Sequence, residues 1–199
     1  MNCTELIQFC DPLELSGTKP DTTGELCQDS RELHSGDVFI AVKGLRTDGH
    51  NFIPQALKSE ASVIICERIP TDIPDNQTLF IRVEDTKKIL PELAQVFYNE
   101  PAKDLTITGI TGTNGKTTVT TLIYQVLQNL GIPAALMGTV YQYIGEEKTS
   151  SRLTTSDPVS LAKNMRKMVD AGIEHLVMEV SSHALDQGRV KGFRFQCAG

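Results

Sequence analysis

The stretch Gly112-Thr113-Asn114-Gly115-Lys116-Thr117-Thr118 decides the fold of the second half of this 199-residue sequence. A predicted strand at 105–110 precedes it, and a predicted helix at 116–130 follows it. A glycine-rich loop between a strand and a helix is the arrangement of a phosphate-binding loop. Glycines let the backbone approach phosphates, and the helix N-terminus adds partial positive charge. The stretch therefore predicts a nucleotide site that opens a βαβ unit.

The residue types of this loop suit ATP and Mg²⁺. Lys116 can place its charge on the β- and γ-phosphates, and the Thr117 hydroxyl can ligate the Mg²⁺ that bridges them. The general loop pattern has glycine at position 110, where Ile110 stands, so a plain glycine-rich turn before a helix is the alternative. The predicted ATP-binding residues are Gly112, Thr113, Asn114, Gly115, Lys116, Thr117 and Thr118.

Beyond the loop, the pattern continues as alternating strands and helices. Apolar runs predict strands at 134–138 and 175–180, and Pro158 predicts a helix start that Ser156 or Asp157 caps. Gly131 and Gly172 are typical of helix ends. Residues 141–153 are expected to form a polar excursion.

The first half has the same character. Apolar runs predict strands at 38–42, 63–66 and 79–83, with helices at 52–57 and 89–98 and a loop at 70–76. A proline is tolerated in the first turn of a helix, so Pro91 places the start of the second helix near itself. The polar, proline-containing segment 99–104 indicates a domain boundary. We expect an α/β fold in two domains, 1–101 and 102–199, the second of which has a mainly parallel sheet.

Composition narrows the class of protein. Apolar residues make up 40% and charged residues 22%, with a net charge of −6, and no basic stripe of a nucleic-acid binder is visible. The five cysteines show no C-x-x-C spacing, which favours reduced thiols over a disulfide scaffold or a zinc site. No apolar stretch has the length of a membrane span, and the first residues lack the layout of a signal peptide. These features predict a cytoplasmic protein without membrane segments.

The loop T-G-T-N-G-K-T-T resembles that of the Mur ligase and folylpolyglutamate synthetase superfamily, in which the shifted glycine is usual. Both groups make amide bonds from a carboxylate, ATP and an amine. Other segments resemble the Mur ligases that act on UDP-N-acetylmuramoyl-dipeptide (the MurE type), and this resemblance covers essentially the whole chain. It implies a small UDP-binding α/β domain followed by the first part of a P-loop ATPase domain.

The first resembling region contains Asp29-Ser30-Arg31, then G-D-V-F-I-A at 36–41 and G-L-R-T-D-G-H at 44–50. Asp29-Ser30-Arg31 alone is also typical of a surface turn, and its order relative to the other two segments favours the family interpretation. The resemblance implies that this region holds the uridine diphosphate end of the substrate. The implied contacts are Gln28, Ser30, Leu45, Arg46 and Thr47.

Two further regions are Thr154-Thr155-Ser156-Asp157-Pro158 and the segment M-E-V-S-S-H-A-L at 178–185. The resemblance implies that Glu179, at the end of a strand, is a Mg²⁺ ligand, as is Thr117. It also implies that Lys116 and Glu179 are the catalytic residues. A salt-bridged structural glutamate is the alternative. The implied substrate contacts are Thr154, Thr155, Ser181, Gln187 and Arg189. His183 either orders the metal or substrate region or is a structural histidine. The ligands are expected to meet beyond the carboxyl ends of the strands.

The resemblance implies ATP-dependent ligation of a diamino acid to UDP-N-acetylmuramoyl-L-alanyl-D-glutamate, through an acyl phosphate, in peptidoglycan synthesis. The diamino acid is usually meso-diaminopimelate and in some enzymes L-lysine, and the full-length protein is expected to be a monomer. The alternatives are another Mur ligase, a folylpolyglutamate synthetase, or a nucleotide-binding module without catalysis. Mur ligases carry a further metal segment, a carbamylated lysine and a third domain, so residues 1–199 alone are expected to be inactive.

Overall fold

The structure, a computed structural model, describes residues 1–44, 47–71, 77–151 and 153–199. The chain divides into two compact units, Met1–Phe97 and Tyr98–Gly199. Each unit has its own sheet with mainly parallel strands, so the predicted α/β class is confirmed. Within the described ranges, no helix combines the length and the apolar character that crossing a membrane requires. Part of the predicted loop, at 72–76, lies outside the described residues.

The first unit has one mixed sheet, in which β1 is antiparallel to its neighbour and the other strands are parallel. The described strands follow the order β1-β5-β4-β3-β2. They are β1 (Glu14–Ser16), β2 (Leu26–Cys27), β3 (Val38–Ile40), β4 (Val63–Cys66) and β5 (Leu79–Arg82). The helices are α1 (Cys3–Cys10), α2 (Ile53–Lys58) and α3 (Thr86–Phe97).

The central strands of this unit are apolar because they form its buried core. β3 and β4 are buried at every position, as expected for parallel strands covered on both faces. Phe39, Ile64 and Phe80 fill one side of the sheet and pack with Ile53 and Ala56 of α2. The predicted strands at 63–66 and 79–83 are confirmed to within one residue.

The proline of α3 lies deeper in the helix than the sequence indicated. The prediction that α3 begins near Pro91 is wrong, because α3 begins at Thr86. The Asp85 carboxylate accepts a hydrogen bond from the Lys88 N–H (2.9 Å) and thereby fixes the earlier start. Pro91 is buried with Leu90, and the burial of this apolar face offsets the helix bond that the proline removes.

The cysteines are divided unevenly between the units. The first unit holds four buried ones, and the exposed Cys197 lies in the second unit. Burial raises the pKa of Cys10 to about 12. It also raises the pKa values of Cys27 and Cys66 to about 11. All five cysteines are free thiols, as the sequence predicted.

The second unit is built on a sheet whose described strands follow the order β11-β6-β10-β7-β8-β9. β11, β6, β10 and β7 are parallel, and β8 and β9 continue the sheet as antiparallel strands. The strands are β6 (Thr106–Ile110), β7 (Ala134–Met137), β8 (Tyr141–Ile144), β9 (Glu147–Ser150), β10 (His175–Glu179) and β11 (Phe195–Ala198). The helices are α4 (Lys116–Asn129), α5 (Pro158–Asp170) and α6 (Ser182–Asp186).

The helices of this unit begin and end close to where the sequence predicts. Leu161, Met165 and Met168 of α5 pack with Ile107 and Met178 of the sheet. α4 lies against β6, β7 and β10. The polar excursion expected at 141–153 contains a hairpin, which β8 and β9 form.

Candidate functional site

The loop between β6 and α4 has the geometry of a phosphate-binding loop. Gly112 (φ +128°) and Gly115 (φ +84°) adopt the left-handed backbone that glycine allows, and Gly115 is the N-cap of α4. No side chain among the described residues caps this end, so the first-turn N–H groups remain available to an anion. The Lys116 ammonium donates a hydrogen bond to the Gly112 carbonyl oxygen (2.7 Å), which holds the cation over the loop. The Thr117 side chain is exposed in the first helical turn.

Strand register brings Glu179 to the start of this loop. β10 lies between β6 and β7, and Glu179 is opposite Ile110, the last residue of β6. The Val180 N–H donates to the Ile110 carbonyl oxygen (2.8 Å), which carries the pairing one residue further. The loop begins at the next residue, Thr111. The carboxyl ends of two parallel strands therefore bring together the predicted metal ligand and the predicted phosphate loop.

The Glu179 carboxylate is buried and doubly hydrogen-bonded. Glu179 is 1% exposed. The Thr139 N–H donates to Oε1 (2.8 Å) and the Thr139 hydroxyl donates to Oε2 (2.9 Å). No ion pair of Glu179 is present in the described part of the chain, so the salt-bridged alternative finds no support there. No motif of the sequence marks Thr139, whose only signal is that it directly follows Gly138, the last residue of the predicted strand at 134–138.

Thr155 joins the substrate-type turn to the end of β10. It is 2% exposed. Its hydroxyl donates to the Glu179 carbonyl oxygen (3.0 Å) and accepts a hydrogen bond from the Ser181 N–H (3.1 Å). Ser181 in turn caps α6, because its hydroxyl oxygen accepts from the Ala184 N–H (3.2 Å). Both predicted residues thus have structural partners that hold them beside Glu179.

Arg189 extends this cluster. Its Nη1 donates to the Thr155 carbonyl oxygen (2.6 Å), while Nε (3.0 Å) and Nη2 (2.7 Å) both donate to Oε1 of Gln187. The structure therefore brings five predicted site residues together: Thr155, Glu179, Ser181, Gln187 and Arg189. Thr154 is half-buried next to them, and the His183 side chain is exposed on α6.

The predicted uridine contacts lie in the first unit. Gln28 directly follows β2 and is half-buried. Ser30 is 6% exposed, and its hydroxyl donates to the side-chain oxygen of Gln55 on α2 (3.2 Å). Thr47 is exposed. Leu45 and Arg46 lie outside the described residues.

The donor atoms near the loop suit a Mg²⁺ ion that is held partly by phosphates. The Glu179 carboxylate and the Thr117 hydroxyl are oxygen donors, which is the ligand type that Mg²⁺ prefers. The described residues contain no group of three or more His, Cys, Asp or Glu side chains arranged for a metal. Such a cluster is not needed where Mg²⁺ uses one or two protein oxygens together with substrate phosphates and water.

Comparisons with known proteins converge on one family. The description "Mur ligase family, catalytic domain" matches residues 25–98, and "Mur ligase middle domain" matches residues 110–198. A UDP-N-acetylmuramoyl-L-alanyl-D-glutamate–2,6-diaminopimelate ligase of Phocaeicola vulgatus is 38% identical over 98% of this chain. UDP-N-acetylmuramyl-tripeptide synthetase 2 of Oceanobacillus iheyensis is 39% identical over the whole chain. The chain spans about 40% of the length of each of these relatives.

A solved structure shares the fold. It is that of a UDP-N-acetylmuramoyl-L-alanyl-D-glutamate–2,6-diaminopimelate ligase. It aligns with a TM-score of 0.75 at 24% identity, over all of this chain and 39% of that chain. At this level of identity the alignment supports the fold.

Proposed function

The chain belongs to the Mur ligase family, and on that premise we propose that it is part of an ATP-dependent amide ligase of peptidoglycan synthesis. The proposed reaction adds a diamino acid to UDP-N-acetylmuramoyl-L-alanyl-D-glutamate. The first unit binds the UDP end through Gln28, Ser30 and the loop that contains Leu45, Arg46 and Thr47. The second unit binds ATP through residues 112–118.

One observation carries most of this proposal. The register of β6 against β10 sets Glu179 opposite Ile110, the last strand residue before the phosphate loop. Burying an ionised carboxylate costs free energy unless the charge is both hydrogen-bonded and paired, and Glu179 has hydrogen bonds from Thr139 but no ion pair among the described residues. Ligation of a divalent cation that also contacts the phosphates would pair this charge. Thr117 is the second proposed protein ligand.

The proposed chemistry proceeds through an acyl phosphate. A free carboxylate of the UDP-linked dipeptide attacks the γ-phosphorus of ATP, and the bond from that phosphorus to the ADP oxygen breaks. The amine nitrogen of the diamino acid then attacks the acyl carbon, loses a proton and displaces inorganic phosphate. Lys116 stabilises the charge on the transferring phosphoryl group. Bound Mg²⁺ supplies further charge neutralisation at the phosphates.

Thr154, Thr155, Ser181, Gln187 and Arg189 are the proposed contacts of the muramyl-peptide portion. The Thr155 and Gln187 contacts of Arg189 orient its guanidinium, whose planar fork suits a phosphate or a carboxylate. The names of the relatives favour 2,6-diaminopimelate as the third amino acid, with L-lysine as the alternative. We propose a cytoplasmic location for the enzyme, because its substrates are nucleotide-linked precursors.

Two other functions make different predictions. A folylpolyglutamate synthetase or a non-catalytic nucleotide module would bind nucleotides but would not bind UDP-N-acetylmuramoyl-dipeptide. We expect this dipeptide substrate to raise the midpoint of thermal unfolding of the chain, and the same amount of free UDP to raise it less. No stabilisation by the dipeptide substrate, with normal stabilisation by Mg·ATP, would favour the nucleotide module.

Lys116→Ala tests the assignment of the loop. We expect this variant to lose measurable ATP binding in calorimetric titration, because the charge on the phosphates is removed. Its affinity for UDP-N-acetylmuramoyl-dipeptide should remain close to that of the wild type, since the uridine contacts are in the other unit. Lys191→Ala, an exposed lysine of the second unit, is the matched control. Unchanged ATP affinity in Lys116→Ala would contradict the loop assignment.

We further propose that residues 1–199 bind substrates without completing the ligation, since they correspond to about 40% of the length of the relatives. Phosphate release is measured with ATP, Mg²⁺, UDP-N-acetylmuramoyl-dipeptide and either diamino acid. Turnover that depends on the diamino acid would contradict this part of the proposal.

A further inference from the structure

Thr139 makes both of its polar groups available to one carboxylate. Its backbone N–H and its hydroxyl donate to different oxygens of Glu179, at 2.8 and 2.9 Å. Two donors on one residue fix the plane of the carboxylate as well as its position. Each carboxylate oxygen has a further lone pair, so this arrangement leaves acceptor capacity for a cation.

The backbone is shaped for this contact. Thr139 follows Gly138, which comes directly after β7, and a Cβ atom on Gly138 would lie only 2.9 Å from Oε1 of Glu179. Any other residue at position 138 would push the carboxylate away. The Gly138 N–H donates to the Tyr141 carbonyl oxygen (3.1 Å), which closes the turn into β8. The β7–β8 turn therefore presents Thr139 to the end of β10.

The other hydroxyl near Glu179 acts on a different atom. Thr155 binds the backbone carbonyl of Glu179 and thereby holds the strand end, while Thr139 alone of these two binds the carboxylate. The Thr139 residue itself is exposed although its hydroxyl reaches a buried group. Removing this hydroxyl should therefore alter the carboxylate without opening a cavity in the core.

From this geometry we propose that Thr139 is a positioning residue, which holds the Glu179 carboxylate in the orientation that ligates the divalent cation of the bound nucleotide. The proposal rests on the function proposed above. Residues that hydrogen-bond to a metal ligand fix its orientation, and their loss typically weakens metal affinity by roughly 10- to 100-fold. Thr139 contacts Glu179, and the cation is affected through Glu179.

Three variants at this position separate the hydroxyl from the side-chain shape. Thr139→Val keeps the shape and removes the hydroxyl, Thr139→Ala removes both, and Thr139→Ser keeps the hydroxyl. Thr149→Val is the matched control, because Thr149 is an exposed residue of β9. ATP affinity is measured by calorimetry over a range of Mg²⁺ concentrations and in EDTA. Binding of Mn²⁺ in the presence of ATP is measured by electron paramagnetic resonance.

We expect Thr139→Val and Thr139→Ala to weaken Mn²⁺ and Mg²⁺ binding by about tenfold or more. Thr139→Ser should stay within about threefold of the wild type, and Thr149→Val should not differ from it. ATP affinity in EDTA should be the same in all five proteins, because the loop that holds the phosphates is unchanged. A general structural defect would lower the affinity with and without the cation.

The outcomes distinguish this proposal from the proposed function. Wild-type cation affinity in Thr139→Val and Thr139→Ala would overturn the positioning role and leave the function standing. Loss of ATP affinity in EDTA, in parallel with loss of cation affinity, would make Thr139 a structural residue and would also overturn the proposal. Absence of any cation-dependent ATP binding in the wild-type chain would overturn the proposed function, and the positioning role with it.

Discussion

At the residue scale, single side chains in both units contact two partners at once. Arg189 joins the Thr155 carbonyl oxygen and the Gln187 amide oxygen through three donors. His50 accepts the Glu67 N–H at Nε2 (2.9 Å), so its proton is on Nδ1, which faces Asp48 Oδ1 at 2.7 Å. These contacts depend on the fixed positions of the nitrogen atoms in the imidazole ring and the guanidinium fork, so exchanges that remove a donor or acceptor should have measurable effects.

We predict that Arg189→Lys weakens binding of UDP-N-acetylmuramoyl-dipeptide by about tenfold or more although the charge is kept. A lysine ammonium cannot reproduce the fork, and hydrogen bonds to charged groups contribute on the order of 1.5–3 kcal/mol. Calorimetric titration measures the affinity, and Arg194→Lys, at an exposed arginine of the same unit, is the control. Equal affinities of Arg189→Lys and the wild type would show that this arginine does not contribute to substrate binding.

A second prediction at this scale concerns His50, whose side chain is 8% exposed. His50→Phe removes the acceptor of the Glu67 N–H and should lower the free energy of unfolding by about 1–3 kcal/mol. His50→Gln keeps an acceptor and should cost less. His34, with an exposed ring, supplies the control exchange His34→Phe. The free energies of unfolding of the variants are measured in urea. An unchanged free energy in His50→Phe would mean that water replaces the imidazole as the acceptor of the Glu67 N–H.

Most residues assigned to the candidate site were proposed from sequence motifs, and Thr139 was identified only from the structure. Motifs identify residues that are close along the chain or that resemble a family, such as Lys116 and Arg189. The contact between Thr139 and Glu179 depends on the register of β7 against β10, which no local pattern encodes. The hydrogen bond between Ser30 and Gln55 likewise joins residues that are distant along the chain, so no local pattern predicts it.

At the element scale, strong periodicity and capping residues predicted α4, α5 and the buried strands. α5 begins at Pro158 behind the Asp157 cap, as the sequence indicated. The hairpin of β8 and β9 was missed because its outer strand is polar and fully exposed, so it lacks the apolar run that marks a strand. Cation–π contact of Lys148 with the Tyr141 ring (3.8 Å) stabilises the hairpin, and such a cross-strand pair becomes visible only after pairing.

The Asp157 cap gives a prediction at this scale. Its Oδ1 accepts the Ser160 N–H (3.0 Å) and its Oδ2 accepts the Ser160 hydroxyl (2.7 Å). Asp157→Ala should therefore lower the free energy of unfolding by about 1 kcal/mol, whereas Asp157→Asn should stay close to the wild type. Urea unfolding monitored by circular dichroism tests both variants. A loss in Asp157→Asn as large as in Asp157→Ala would point to the charge of Asp157 and not to capping.

At the scale of the whole molecule, the polar segment 99–104 indicated two domains, but the sequence did not indicate the order of the strands within them. The compact units divide between Phe97 and Tyr98, directly after the last buried side chain of α3. The polar segment at 99–104 follows in the second unit. Most of the parallel strands are short, buried and apolar, and such a sequence does not specify which strands lie beside it. Neither the order of the strands in a sheet nor their neighbours can therefore be derived from one sequence.

The uneven distribution of cysteines provides the protein with a built-in reporter of local opening. Only the thiolate form of a cysteine reacts with an aromatic disulfide reagent. In the first unit, burial shields the thiols from the reagent, and the raised pKa values keep them protonated. We predict one fast-reacting thiol per native chain, Cys197, and five in strong denaturant. In Cys197→Ser, all remaining cysteines lie in residues 1–97. The rate at which their thiols react therefore measures how often that unit opens. A UDP-linked ligand that binds this unit should slow the reaction, and more than one fast thiol in the native chain would contradict the assignment.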